Sequence, residues 1–141
     1  MNARPIIFAL AAATAVLASP VAAQDDAAQE GWAGTMPVFF ETGSAAVTAE
    51  EADKLDTIAR TFRDGAFSVV EVAGIADTVG SPQQNLFLSN QRAQSVANGL
   101  IERGLDPLNL QLVSRGNGAL AVNTDDETSE PRNRVAEISW R

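Results

Sequence analysis

Few side chains in this 141-residue sequence can do chemistry. There is no cysteine and no histidine, and Lys54 is the single lysine. Thiol nucleophiles, thiolate metal sites and the commonest general base are therefore excluded. A glycosidase would need two carboxylates about 5–10 Å apart across one cleft. Glu41 and Asp77 could meet that only by accident of folding, and Arg92 beside Asp77 would hold it ionised rather than ready as an acid. No enzymatic activity, cofactor or metal site is expected. What remains is recognition of charge. Asp77 lies in a loop-like stretch with Gly80, Ser81 and Pro82, and Arg92 lies in a helical pattern further on. On spacing alone, such a pair is a structural salt bridge, which contributes little at a surface. Asn85, between them, could equally satisfy loop amides.

The elements that must position these residues are legible. Residues 37–40 form a short apolar run that reads as a strand. Thr48 and Glu51 have capping-box spacing, and Ala52, Leu55, Ile58, Ala59 and Phe62 follow at helical period until Gly65. Val69, Val70 and Val72 mark a second strand over residues 67–73. Ala93, Val96, Ala97, Leu100 and Ile101 form a second apolar helical face, closed by Gly104. Residues 108–113 and 135–140 read as strands, and residues 123–131 as an exposed acidic segment. The order β, α, β, α, β, β implies an α+β fold, with a mixed four-stranded sheet and two main helices on one face.

The N-terminus reads differently. Arg4 precedes an apolar run over residues 6–18, then Ser19, Pro20 and Val21-Ala22-Ala23. That is the layout of a secretory signal peptide over residues 1–23, cut after Ala23, with an apolar core too short for a permanent membrane span. Residues 24–36 read as a flexible leader in which Trp32 could pack on the domain edge, and residues 37–141 as the domain. With no cysteine, no lipid-modified N-terminus is expected. The full chain carries a net charge of −8, and losing Arg4 leaves nine basic residues against 18 acidic ones. This argues against nucleic acid and anionic membranes as partners. No transmembrane segment is expected past residue 23, and the product should reside in the periplasm.

Three segments together resemble the OmpA-like C-terminal, peptidoglycan-binding domain family. The first is Val38-Phe39-Phe40-Glu41-Thr42-Gly43-Ser44-Ala45. The second is Gly74-Ile75-Ala76-Asp77, then Gly80, Asn85, Leu88-Ser89 and Arg92-Ala93, following a family pattern of Gly-His-Thr-Asp, Gly, Asn, Leu-Ser and Arg-Ala. The third is Asn133-Arg134 with Glu137-Ile138. The resemblance implies non-catalytic, non-covalent binding of peptidoglycan through the diaminopimelate residue of the peptide stem. That residue ends in one carbon bearing an ammonium and a carboxylate. By resemblance, Asp77 takes the ammonium and Arg92 the carboxylate, through paired charge-assisted hydrogen bonds. Asn85, Glu41 and Arg134 match contact or support positions. The expected partner is diaminopimelate-type peptidoglycan at the cell wall or outer membrane.

One geometric difficulty arises. On a single helix from Ser81, Arg92 would sit about 16 Å along the axis at the usual rise per residue. A short turn over residues 82–87, a break at Ser89 as N-cap, and a main helix over residues 90–103 would bring Arg92 into a first turn facing the cleft. The sequence also departs from the pattern. Ile75 and Ala76 replace the His and Thr, Glu41 replaces an Asp, and Glu130 and Val135 stand where arginines are usual. An alternative is therefore a degenerate module that keeps the fold and binds an envelope protein instead.

Overall fold

A computed structural model describes residues 33–141. The segment read as a signal peptide, most of the expected leader and Trp32 lie outside the described residues. Strand β1 (Gly34–Phe39) leads to helix α1 (Ala49–Arg63), strand β2 (Val70–Ile75), helix α2 (Pro82–Glu102), strand β3 (Leu110–Ser114) and strand β4 (Val135–Trp140). The sheet order is β1-β4-β2-β3. β4 is antiparallel to both neighbours, and β2 and β3 run parallel. The fold is thus α+β with a four-stranded mixed sheet and two main helices.

The core explains the layering. Val38, Val70, Val72, Ala136 and Ile138 alternate along their strands and form one buried cluster with Leu55 and Ile58 of α1 and Ala93, Val96 and Leu100 of α2. Both helices therefore cover the same sheet face. Each such valine, leucine or isoleucine side chain is worth about 1.5–3 kcal/mol of burial. α2 lies so close to β2 that a Cβ on Gly74 would be 1.8 Å from the Ser89 carbonyl oxygen, so no side chain fits there.

Capping sets the helix starts. Thr48 Oγ1 accepts from Glu51 N, but the Glu51 carboxylate turns to Phe39 N and Lys54 Nζ instead of closing the box. The reciprocal box forms at Ser81 and Gln84, with Pro82 opening α2. α2 then runs unbroken to Glu102, so the expected break at Ser89 is absent. Ser89 is no cap. Its hydroxyl donates to the Leu86 carbonyl and accepts from Gly116 N, and these two bonds satisfy it inside a continuous helix.

Strand limits also shift. β1 begins at Gly34, so residues 34–36 belong to the domain rather than to a flexible leader. Gly34 lets the Trp140 indole lie against its backbone, which fixes the start of the strand. Ser68 N and Val69 N bond the Arg141 carbonyl ahead of β2, and residues 107–109 form a 3₁₀ turn before β3. Among the described residues, no helix is long and apolar enough to cross a membrane.

Candidate functional site

The site lies where β2 ends, β4 begins and α2 starts. β2 delivers Ile75, Ala76 and Asp77 to this end of the sheet, and Ile75 pairs with Val135, the residue after Arg134. Asp77 is 6 % exposed. Its Oδ1 accepts from Val79 N at 3.4 Å, and its Oδ2 lies 3.5 Å from Arg134 Nη1. That separation is an ion pair but not hydrogen-bonding geometry, and Oδ2 has no hydrogen-bond partner among the described residues. Arg134 is held by other bonds, from Nε to the Phe40 carbonyl and from Nη1 to Ser129 Oγ.

Arg92 is not at the mouth. It is 0 % exposed and sits in the middle of α2. Helical side chains lean toward the N-terminus, and α2 passes Gly74 of β2 at Ser89, so the long Arg92 side chain reaches back to the sheet end. Nη1 donates to the Ile75 carbonyl at 3.0 Å, Nε to Ser44 O at 2.9 Å and Nη2 to Glu41 O at 3.3 Å. The guanidinium carbon stands 5.3 Å from the Phe40 ring centroid. Burial lowers the Arg92 pKa to about 10, against the Asp77 charge, which raises it, and with Arg134, which lowers it further. The expectation of an exposed first-turn arginine is therefore corrected. The distance to Asp77 is closed by the reach of the side chain rather than by a break in the helix.

Asn85, in the first turns of α2, is 3 % exposed, and its Nδ2 has no hydrogen-bond partner among the described residues. Glu41 is exposed and enters the arrangement through its backbone carbonyl, which accepts from Arg92 Nη2 and Ser44 N. The structure thus brings Asp77 and Arg134 together, sets Arg92 behind them, and leaves the Glu41 carboxylate aside.

Sequence reasoning missed Thr78, and it placed Asn133 in the closing motif without its structural role. Thr78 is buried, and its Oγ1 lies 2.6 Å from the Asp125 carbonyl and accepts from Thr128 N at 3.0 Å. Glu127 N returns a bond to Thr78 O, with Glu127 in the left-handed region at φ 54°. The acidic segment is thereby fastened to the Asp77 loop. Asn133 is buried and pairs both ways with the Val122 backbone, which fixes the approach to Arg134. A threonine or asparagine in a polar stretch carries no sequence signal that separates these roles from surface exposure.

The model of the OmpA family matches residues 39–134. The chain belongs to the OmpA family. Among curated proteins, it is 29% identical over 102 residues to the "Probable lipoprotein YiaD" of Escherichia coli K12, covering 72% of this chain and 47% of that protein. It is 31% identical over 100 residues to the "Peptidoglycan-associated lipoprotein" of Pseudomonas putida, covering 71% and 60%. The chain spans about half the length of the former and three fifths of the latter. Among solved structures, the peptidoglycan-associated lipoprotein from Burkholderia pseudomallei superposes with a TM-score of 0.69 at 25% identity, over 74% of this chain and 89% of that one. The OmpA-like domain of FopA1 from Francisella tularensis gives 0.67 at 25% identity, over 74% and 70%. The OmpA-family match runs from Phe39 at the end of β1 to Arg134, so it includes Glu41, Asp77, Asn85, Arg92 and Arg134.

Proposed function

We propose that this OmpA-family chain binds peptidoglycan without altering it, holds the diaminopimelate residue of the peptide stem, and so anchors or positions itself at the wall. The observation that carries the reading is Asp77 Oδ2, an ionisable oxygen buried beside Arg134 and without a hydrogen bond among the described residues. An unsatisfied buried acceptor is costly, by about 1–3 kcal/mol, and an incoming ammonium would satisfy it. The Asn85 Nδ2 donor and Arg134 offer complementary groups for the carboxylate on the same ligand carbon. Arg92 contributes its positive charge from behind and fastens the loops that carry Glu41, Ser44 and Ile75. Nothing in this arrangement calls for a covalent step. The names of the relatives, peptidoglycan-associated lipoproteins among them, favour the same ligand class and a periplasmic location at the wall or outer membrane.

The test is co-sedimentation of the mature protein, cut after Ala23, with purified sacculi of the diaminopimelate and lysine types. Strong binding to the first and weak binding to the second is expected, because a lysine-type stem lacks the carboxylate that Arg134 and Asn85 would meet. Binding to neither wall favours the second reading, an envelope protein as partner. One observation supports that alternative. Ile75 and Ala76 are buried in the core, 3 % and 0 % exposed, and their side chains offer no polar group to a ligand.

A further inference from the structure

The two ends of the molecule differ. The starts of β2 and β3, the start of β1 and the end of β4 meet at one pole through the pairs Val70↔Leu110, Val70↔Trp140 and Gly34↔Trp140. Both helices finish there as well, α1 at Arg63 before β2 and α2 at Glu102 before β3. The Asp77 site is at the other pole, so the α1 and α2 C-termini lie away from the wall-facing end.

Arg60, Arg63 and Arg103 converge at this far pole around a cleft of about 310 Å³, with Asp56 as the one carboxylate in its wall. Arg103 Nε is paired with Asp56, and its Nη1 donates to Gly99 O. Arg60 donates through Nε to the Asp56 backbone carbonyl, which leaves its two terminal nitrogens unused. Among the described residues neither Arg60 nor Arg63 has a carboxylate partner, although acidic residues outnumber basic ones 18 to 10 in the chain. The negative end of α1 favours cations in its last turn. It does not account for a third arginine brought in from α2, nor for like charges placed at i and i+3, which repel.

We propose that this cleft is a second binding site, for a phosphate-bearing anion, on the pole opposite the wall site. Three guanidinium groups against one carboxylate leave two positive charges unneutralised. The free N–H donors of Arg60 and Arg63 outnumber the two oxygens of a carboxylate and suit the three or four oxygens of a phosphate, which arginine forks meet bidentately. The same chemistry serves a free phosphate or the phosphodiester of an anionic lipid headgroup. The bulk acidity of the chain argues against a broad membrane contact, but not against one phosphate group held in a cationic cleft.

The test follows the arginine Nε–Hε resonances of the chain by NMR. Sodium phosphate is titrated in at constant ionic strength against chloride, and the chain is floated in parallel with phosphatidylcholine vesicles with and without phosphatidylglycerol. Saturable shifts at Arg60, Arg63 and Arg103 with phosphate support a free-phosphate site. Flotation only with phosphatidylglycerol supports a headgroup site. In either case the double variant Arg60→Gln, Arg63→Gln should weaken binding about tenfold or more, as expected for losing charge-assisted hydrogen bonds, while sedimentation with sacculi stays unchanged. Absence of both phosphate shifts and lipid-dependent flotation overturns the proposal. So does a double variant that responds like the wild type.

Discussion

Arg92 Nη1 donates to the Ile75 carbonyl at 3.0 Å, at the last residue of β2 before Ala76 and Asp77. The same guanidinium holds Ser44 and Glu41 of the loop after β1. One buried side chain therefore ties two loops to the floor of the site. Arg92→Ala would remove a donor from three carbonyls, of which Glu41 O keeps Ser44 N, and should destabilise the fold by about 3 kcal/mol or more in urea melts. Arg92→Lys keeps the charge, but one ammonium cannot reach all three carbonyls. It should melt at an intermediate denaturant concentration and, where folded, keep wall binding within about tenfold, because Arg92 is buried and its guanidinium donates to protein carbonyls. Stability unchanged in Arg92→Ala would show that the three bonds are not the main support of these loops.

Asp77→Asn keeps an oxygen for Val79 N and nearly the same shape. It removes the charge facing Arg134, which still has Phe40 O and Ser129 Oγ. A stability loss of about 1–2 kcal/mol is expected, with wall binding reduced tenfold or more, since a charged hydrogen bond is worth about 1.5–3 kcal/mol. Urea melts and co-sedimentation on the same sample check both. A large stability loss with unchanged binding would return the pair to a purely structural role.

Much of this was legible in the sequence, for identifiable reasons. The apolar periods of α1 and α2 and the valines of β2 report burial directly, so element order and fold class followed. Asp77 and Arg134 were singled out by their place in a spaced pattern. The position of Arg92 was not legible. Its sequence distance from Ser81 suggested a helix break, whereas α2 stays continuous and the side chain reaches back along it. Ser89 misled because serine is a good cap and equally a good buried bridge when Gly116 N and Leu86 O are nearby. The pinning of the acidic segment by Thr78 depends on a contact between distant residues that no local pattern encodes.

Thr78→Val should release that segment. The hydroxyl bridges Asp125 O and Thr128 N, and its loss leaves both unpaired at a cost of about 1–3 kcal/mol. Hydrogen exchange at the Thr128 and Glu127 amides should rise well above that of β2, with β2 itself unchanged. Equal protection in variant and wild type would contradict the bridging role.

Glu130 caps the 3₁₀ turn Pro131–Asn133 by accepting from Arg132 N, and it also pairs with the Arg132 side chain. The side-chain bond to Arg132, then its backbone bond, lower the Glu130 pKa to about 2. The folded pKa lies below the unfolded value. The stabilisation is therefore present above about pH 4.5 and lost as pH falls toward 2. An NMR titration of the Glu130 carboxyl carbon should find its midpoint well below that of an ordinary glutamate. In Arg132→Ala the midpoint should move back up, and a normal midpoint in the wild type would rule out the cap.

The central claim is that Asp77, with Arg134 and Asn85, recognises a carbon bearing both an ammonium and a carboxylate. Isothermal titration of the mature chain with two soluble stem peptides, alike except for diaminopimelate or lysine at the third position, tests it most directly. The account predicts that the diaminopimelate peptide binds about tenfold or more tightly, the worth of one charge-assisted contact to its carboxylate. Equal affinity for the two peptides, or no binding of either, would contradict it.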